Sequence, residues 1–289
     1  MTSTASSMRR VARVAELRET LDAARTGGRR IGFVPTMGHL HEGHLRLVDE
    51  ARRRSDVVVM SIFVNPLQFG PNEDLARYPR DEEGDAAKAE GRGVDVVFIP
   101  DVSEIYPEPP RIVVSPRALA ARWEGAVRPG HFEGVLTVVA KLFNIVQPHV
   151  AVFGQKDIQQ ATLVRAMAQD LDIPVEIVVA PTVREPDGLA MSSRNSYLDE
   201  SSRQRARGLS GALHAVHRAY EAGERNATAL EAIARAHLAE RGVDEVDYVA
   251  IADPKTLEPL AQATAGTVVA LAARVGRTRL IDNVILESP

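Results

Sequence analysis

The sequence predicts an α/β fold built on a parallel sheet, followed by a smaller C-terminal α+β domain. Up to about residue 180, runs rich in Val and Ile alternate with amphipathic segments. Uninterrupted β-branched strands joined by helices indicate a parallel sheet covered on both faces. From Ser201 the pattern changes to two long helices and three short strand candidates, and the last two strands are joined through Gly276-Arg277, which is typical of a hairpin.

The predicted elements follow in chain order. The strands of the sheet are Ile31–Pro35, Val57–Val64, Val94–Pro100, Val150–Gly154 and Val175–Ala180. The helices between several of them are Gly43–Arg54, Asp81–Gly91, Val135–Val146 and Asp157–Leu171, each with apolar residues at helical spacing. The C-terminal helices span residues 201–222 and 228–241, and the C-terminal strands are Val246–Ala252, Thr267–Val275 and Arg279–Leu286. This pattern predicts an α/β domain over residues 1–182 and an α+β domain over residues 183–289.

Composition narrows the class of protein. The 289 residues are 45% apolar and 26% charged, as in an ordinary globular protein. A net charge of −4 gives no general attraction for nucleic acid or an anionic membrane, so any anion site is built locally. The absence of cysteine excludes disulfides, thiolate zinc sites and an enzyme thioester. A polar N-terminus without an apolar core, and no run long enough to span a membrane, predict a cytoplasmic protein.

The segment His41-Glu-Gly-His44 lies between the first predicted strand and the helix that follows it. Backbone N–H groups at a helix N-terminus lack partners within the helix, and the positive end of the dipole lies there, so such a turn attracts phosphate. An imidazole at this place can donate a hydrogen bond to oxygens whose charge grows during nucleotidyl transfer. The two histidines therefore predict a phosphate-handling turn.

Two other interpretations of His41 and His44 remain open from the sequence. The pair could be half of a metal site, although zinc requires a third ligand and the metalloprotease spacing is His-Glu-x-x-His. Either histidine could instead cap the helix or lie in solvent, as single histidines often do.

Two further segments carry candidate phosphate ligands. Gly154-Gln-Lys-Asp157 follows a strand and precedes a helix, so Lys156 lies in a second strand-to-helix turn, where an ammonium can contact phosphate. Met191-Ser-Ser-Arg-Asn195 lies between the predicted domains, and its hydroxyls and guanidinium can bind a polyphosphate. The alternatives are a surface lysine beside an ordinary helix cap and a solvated linker.

Substrate-binding side chains are predicted from two more segments. Gln68, in Phe63-Val-Asn-Pro-Leu-Gln-Phe69, is an uncharged donor and acceptor among apolar neighbours, which suits a small polar substrate. Arg128, in Arg128-Pro-Gly-His-Phe132, offers a cation before an apolar helix. The alternatives are a turn residue satisfied by backbone for Gln68 and a surface ion pair for Arg128.

Together these segments resemble the pantoate–β-alanine ligase (pantothenate synthetase) family from about residue 9 to residue 287. Six motifs in order, with fitting intervals, carry the resemblance: Pro35-Thr-Met-Gly-His-Leu-His-Glu-Gly-His44, Ser61-Ile-Phe-Val-Asn-Pro-Leu-Gln-Phe69, Tyr78-Pro-Arg80, Arg128-Pro-Gly-His-Phe132, Gly154-Gln-Lys-Asp157 and Met191-Ser-Ser-Arg-Asn195. Each motif is modest alone, and the set is specific.

The resemblance implies an ATP-dependent ligase with a Rossmann-like sheet of the nucleotidyltransferase type. Such an enzyme converts pantoate and ATP to pantoyl-adenylate and pyrophosphate, after which β-alanine displaces AMP to give pantothenate, a precursor of coenzyme A. The resemblance also implies a homodimer, with the α/β domain binding nucleotide and pantoate and the C-terminal domain acting as a lid. Neither nucleic acid nor a membrane is an expected partner.

The resemblance assigns roles residue by residue. The implied catalytic residues are His44, His41, Lys156 and Arg194. The implied ATP-binding residues are Pro35, Met37, Gly38, His41, Gly43, His44, Gly154, Lys156, Asp157, Val183, Met191, Ser192, Ser193 and Arg194. The residues implied to contact pantoate or β-alanine are Gln68, Gln160, Arg128, Val138 and Val139.

The implied Mg²⁺ position is where this sequence departs from the family. Members often carry adjacent acidic residues after Tyr-Pro-Arg and a glutamine slightly later, whereas this chain has Asp81-Glu-Glu-Gly-Asp85 and Lys88 at the glutamine position. Asp85 is the remaining candidate metal ligand. We therefore expect Mg²⁺ to be held mainly by ATP phosphates and water, since this ion gives up its water reluctantly.

Two other functions are compatible with parts of the sequence. A nucleotidyltransferase that acts on a phosphorylated acceptor would share the sheet and the histidine turn, but it would need a further cationic pocket. A non-catalytic nucleotide sensor would be favoured by loss of Lys156 or His44, and both residues are present.

Overall fold

The computed structural model describes residues 8–287 except Asn72 and Asp244. The chain forms two compact units. The first unit comprises residues 8–120, 128–154 and 163–180, and the second comprises residues 121–127, 155–162 and 181–287. The prediction of functional domains over residues 1–182 and 183–289 stays a prediction. Most of the polar N-terminus used in the localisation argument lies outside the described residues.

The strands are β1 (Arg9–Val11), β2 (Ile31–Thr36), β3 (Val57–Ile62), β4 (Val96–Phe98), β5 (Val150–Gly154), β6 (Glu176–Ala180), β7 (Glu245–Ala252), β8 (Val268–Val275) and β9 (Thr278–Ile285). The helices are α1 (Val14–Thr26), α2 (Glu42–Arg52), α3 (Glu82–Gly91), α4 (Val102–Ile105), α5 (Glu124–Val127), α6 (His131–Val146), α7 (Ile158–Asp170), α8 (Glu200–Glu221) and α9 (Ala227–Glu240). Short 3₁₀ turns include Pro66–Gln68, Gln155–Asp157 and Ser193–Tyr197.

The first unit is built on a parallel six-stranded sheet in the order β1-β4-β3-β2-β5-β6. All six residues of β3 are buried, as expected for a central strand covered on both faces. The strand order reverses between β2 and β5, because the chain moves outward through β3 and β4 before it returns to the other side of β2. Ligands of open α/β sheets bind outside the carboxyl ends of the strands at such a reversal, and the histidine turn follows β2.

The second unit contains an antiparallel sheet in the order β7-β8-β9 with α8 and α9 packed beside it. Val275 pairs with Thr278, so the predicted hairpin through Gly276-Arg277 is confirmed. The core is formed by apolar residues of the two helices and the sheet, including Leu209, Leu213, Leu230, Leu238, Val269 and Leu271.

The predicted fold class is confirmed. The predicted bounds of α8 and α9 differ from the structure by one residue at each end. Strand β4 begins two residues later than predicted, because the N–H of Val94 donates to the carbonyl of Ala89 at 3.0 Å and so closes the C-terminus of α3. It also ends two residues earlier than predicted. Helix α6 begins four residues earlier than predicted, directly after Gly130, whose φ of 80° lies in the left-handed region.

The prediction omitted β1 and α1. Strand β1 has three residues, two of them exposed, so it carries no alternating pattern. Helix α1 buries Leu17, Leu21 and Ala24, whose spacing is helical, so this signal was present in the sequence. Within residues 8–287, apart from positions 72 and 244, no helix is both long and apolar enough to cross a membrane.

Candidate active site

The histidine turn connects β2 to α2. His41 is the N-cap of α2 and His44 is its third residue, so both imidazoles lie at the helix N-terminus as predicted. The N–H of His41 donates to Nδ1 of His44 at 3.4 Å, and the ring centroids are 4.1 Å apart. A neutral imidazole whose Nδ1 accepts carries its proton on Nε2. The structure therefore favours His44 as a neutral donor through Nε2–H.

The backbone of the turn is held by the side chain of Asp85, on α3. This carboxylate is 1% exposed and accepts the N–H of His39 and the N–H of Leu40, both at 2.6 Å. Gly38 has a φ of 85°, and a Cβ there would lie 2.9 Å from Oδ2 of Asp85, so this position requires glycine. The ammonium of Lys88 donates to the carbonyl of Leu40 at 3.0 Å. Helix α3 thus fixes the backbone that leads into His41.

These contacts bear on the predicted metal site. Both carboxylate oxygens of Asp85 already accept backbone N–H groups, and Nζ of Lys88 is 3.8 Å from Oδ1. Among the described residues there is no group of three or more His, Asp or Glu side chains arranged to hold a metal ion. The carboxylate of Asp85 is therefore engaged with the backbone of the histidine turn, which does not suit a site where it binds Mg²⁺ directly, and its role as a metal ligand stays a prediction.

Gln68 ends the 3₁₀ turn that follows β3. Its side chain is 8% exposed, and its Nε2 lies 3.1 Å from Sδ of Met37 in the histidine turn. The structure therefore places Gln68, which is predicted to bind pantoate, beside Met37, which is predicted to bind ATP, within the same unit. A Cβ on Gly134 of α6 would overlap the carbonyl oxygen of Leu67, so α6 can approach this turn only with glycine at that position.

Arg128 is held by an ion pair. Its Nε and Nη2 donate to the two carboxylate oxygens of Glu73 at 2.7 and 2.6 Å, and its Nη1 lies 3.0 Å from Nε2 of His131. Because a guanidinium only donates, the proton of neutral His131 lies on Nδ1, which is 2.9 Å from the carbonyl of Gln68. Burial opposes ionisation, yet the hydrogen bonds from Arg128 hold the pKa of Glu73 below its ordinary value.

This network is the ion-pair alternative that the sequence left open for Arg128, here partly buried rather than on the surface. Its effect is to fix the backbone of Gln68. A direct contact between Arg128 and substrate stays a prediction.

In the second unit, the predicted phosphate lysine lies in the turn Gln155–Asp157. Nδ2 of Asn283, on β9, donates to the carbonyls of Gln155 and Lys156 at 2.8 and 2.9 Å. Nε2 of Gln155 donates back to Oδ1 of Asn283 at 3.2 Å. The Lys156 side chain is 20% exposed, with Nζ 3.8 Å from Oδ1 of Asp157. Strand β9 therefore holds the backbone from which Lys156 projects.

The segment around Met191 is ordered through the same strand. Arg184 donates to both carboxylate oxygens of Asp282 at 2.7 and 3.0 Å, and Asp282 precedes Asn283 on β9. The N–H of Met191 donates to the carbonyl of Val183 at 2.9 Å, and Oγ of Ser192 accepts the N–H of Arg194 at 3.3 Å. Strand β9 contacts both the 155–157 turn and the 193–197 turn, so two predicted ATP segments meet on one strand of the second unit.

The remaining predicted residues are placed as follows. Val138 and Val139 are buried in α6, and Gln160 is half-buried in the first turn of α7. The half-buried backbone positions are Pro35, Gly43, Gly154 and Val183, and Ser193 opens the last 3₁₀ turn. The ligand contacts of all these residues stay predictions.

Four residues that support the site were missed from the sequence. Asn65 holds the side chain of Gln68, Tyr106 donates to Asn65, Glu73 holds Arg128, and Asn283 holds the Lys156 turn. Asn65 carried a signal, because an Asn-Pro step marks a turn. The others act across long sequence separations, which leave no local pattern.

Comparison with known proteins identifies the family. The family model described as Pantoate-beta-alanine ligase matches residues 9–285. Pantothenate synthetase 1 of Bradyrhizobium diazoefficiens is 54% identical over 283 residues, which cover 96% of this chain and 98% of that protein. The pantothenate synthetase of Moorella thermoacetica is 53% identical over 274 residues, which cover 95% and 97%.

Solved structures agree with these sequence relatives. The crystal structure of pantothenate synthetase from Thermus thermophilus has a TM-score of 0.93 at 49% identity, covering 97% of this chain and 100% of that one. Pantoate-beta-alanine ligase from Francisella tularensis, complexed with Beta-gamma ATP and Beta-alanine, has a TM-score of 0.80 at 33% identity, covering 98% and 99%. The family and the ligase class predicted from the sequence are confirmed, and the chain belongs to the pantoate–β-alanine ligase family.

Proposed function

We propose that this protein condenses pantoate with β-alanine to form pantothenate, with cleavage of ATP to AMP and pyrophosphate. The observation that carries the proposal is the histidine turn at the carboxyl end of β2, next to the reversal of strand order, in a chain of this family. The Francisella relative, complexed with Beta-gamma ATP and Beta-alanine, supports two of the three substrates.

The reaction proceeds in two steps. A carboxylate oxygen of pantoate attacks the α-phosphorus of ATP, so that an acyl–phosphate bond forms and pyrophosphate leaves. The neutral amine of β-alanine then attacks the acyl carbon, AMP leaves with the electron pair of the broken C–O bond, and a proton leaves the nitrogen. Pantoate is already ionised near neutral pH, so the first step needs no general base. It needs positioning and charge stabilisation, because one anion approaches another.

The residue types present suit that requirement. Nε2–H of His44 and the imidazole of His41 would donate to the phosphates at the N-terminus of α2, while Asp85 and Lys88 hold the backbone that places them. Lys156 and Arg194, from the two segments held on β9, would supply the cations. Both classes of donor act most strongly on the charge that develops in the transition state.

Substrate recognition would fall mainly to glutamine side chains. Gln68 and Gln160 would hydrogen-bond pantoate, while Val138 and Val139 would pack near its methyl groups. Gln68 lies beside Met37, so an acid bound there would approach the histidine turn. Mg²⁺ would enter with the ATP phosphates and neutralise part of their charge. The active form would be a homodimer that works in the cytoplasm.

The test is AMP formation by the purified protein. We expect AMP release from ATP only when both pantoate and β-alanine are present, with pantothenate formed in equal amount. Omission of either substrate should stop AMP release. AMP formation at the same rate with and without β-alanine, or formation of ADP instead of AMP, would contradict the proposed reaction.

A further inference from the structure

The side-chain amide of Gln68 has a defined orientation in this structure. Its Oε1 accepts from Nδ2 of Asn65 at 3.1 Å, and its Nε2 lies on the other side, 3.1 Å from Sδ of Met37. The two ends of an amide have nearly the same shape and opposite hydrogen-bonding roles. Which end faces a ligand is therefore decided by the neighbours that hold the other end.

Asn65 is itself fixed from both ends. It is 1% exposed, and its Nδ2 donates to the carbonyl of Gly134 at 3.1 Å, a group that can only accept. Its Oδ1 accepts from the hydroxyl of Tyr106 at 3.0 Å and from the N–H of Leu67 at 3.3 Å. If the amide of Asn65 were flipped, its Oδ1 would face the carbonyl oxygen of Gly134 and its Nδ2 would face the N–H of Leu67, and neither pair can form a hydrogen bond. Asn65 therefore presents a donor to Gln68, so the atom of Gln68 that faces Asn65 is its acceptor, Oε1.

Tyr106 begins this chain of hydrogen bonds. Its ring lies 6.2 Å from that of Phe63 between centroids, and Nζ of Lys141 lies 5.5 Å above it. Burial raises the pKa of Tyr106, so the phenol keeps its proton and can donate throughout the neutral range. These packing contacts hold the hydroxyl in place against Asn65.

We propose that Tyr106 is a positioning residue that acts through Asn65 to hold the amide of Gln68 with Nε2, rather than Oε1, toward the substrate. This inference rests on the proposed function, and it specifies which kind of pantoate atom Gln68 binds. The ligand atom at Gln68 must be an acceptor, which means a carboxylate or hydroxyl oxygen of pantoate. A ligand that presents only donors there meets the N–H of Nε2 that is not bonded to Met37, and it loses the contact.

Tyr106→Phe is the first test, because it removes the hydroxyl and keeps the ring. Loss of one hydrogen bond in the relay should raise the KM for pantoate about 5–10-fold, with kcat and the KM for ATP within about 2-fold, since the contact serves binding rather than the chemical step. Tyr220→Phe, which removes a buried hydroxyl from α8 in the second unit, is the matched control and should leave all three constants unchanged.

The second test asks whether Tyr106 acts through Gln68. In a Gln68→Ala background, Tyr106→Phe should have no further effect on pantoate KM, because the amide it orients is gone. An unchanged pantoate KM in the single variant, or an equal increase in both backgrounds, would overturn the proposal.

A structural readout separates this inference from the proposed function. The side-chain amide protons of Asn65, bonded to Gly134 and Gln68, should exchange with solvent measurably faster in Tyr106→Phe than in the wild type, as followed by ¹⁵N NMR. If the wild type does not turn over pantoate, the proposed function fails while this comparison still tests the relay. Equal exchange rates in the two proteins would contradict it.

Discussion

Replacement of Lys156 by alanine is expected to slow adenylate formation by at least ~100-fold, a loss of about 2.7 kcal/mol in transition-state stabilisation. The reason is that Lys156 projects from a turn in which Asn283 binds the carbonyls of Gln155 and Lys156, so the backbone that carries the cation is fixed before substrate arrives. A preorganised charge costs no rearrangement when phosphate charge develops. The measurement is pyrophosphate release in a single turnover with ATP and pantoate.

Lys255→Ala is the matched control, because it removes the same charge from an exposed position of the same unit. It should leave the single-turnover rate unchanged. Circular dichroism of both variants checks that they are folded. A near-normal burst of pyrophosphate from Lys156→Ala would remove Lys156 from the chemical step.

His44→Ala is expected to lower the adenylation rate by about 100-fold or more while ATP affinity stays within about tenfold. The reason is that the loss of a contact that strengthens only in the transition state lowers kcat and leaves ground-state binding nearly unchanged. The hydrogen bond from the N–H of His41 to Nδ1 favours the tautomer of His44 with its proton on Nε2, and this N–H is the donor that we expect to contact the phosphate. His44→Gln keeps an N–H donor near that position and should retain more activity than the alanine variant. Single-turnover rates and ATP calorimetry separate the two effects.

His214→Ala, which removes an exposed imidazole from α8, is the control and should be indistinguishable from the wild type. Metal analysis of the purified proteins completes the experiment. Stoichiometric zinc in the wild type that disappears together with activity in His44→Ala would show that the histidine pair binds metal.

The sequence predicted the structure best where apolar residues follow one another along a strand. The strands β2, β3 and β5 are nearly continuous runs of buried apolar residues, and the turns after β2 and β5 were placed correctly because a proline or a glycine lies at or next to the end of each strand. The short strand β1 has no such run, since it depends on pairing with β4, which is distant in the chain.

The supporting side chains of the site could not be predicted in the same way. Asn283 lies 127 residues from Lys156, whose carbonyl it binds, and Glu73 lies 55 residues from Arg128. Single polar residues carry no periodicity, so their partners become known only when the chain is folded. The sequence offered an ion pair or a substrate contact for Arg128 with equal chemical sense, and the bidentate contact with Glu73 supplies the ion pair.

The central claim is that the chain makes a free acyl-adenylate on the way to an amide. Incubation of the enzyme with ATP and pantoate, without β-alanine, tests it most directly. We predict stoichiometric pyrophosphate and a pantoyl-adenylate that is released intact when the protein is denatured, because the chain has no cysteine and no recognisable activated serine to form a covalent intermediate. Later addition of β-alanine should convert this adenylate to pantothenate and AMP. Recovery of a pantoyl group bound to the denatured protein, or release of inorganic phosphate and ADP in place of pyrophosphate, would contradict the account.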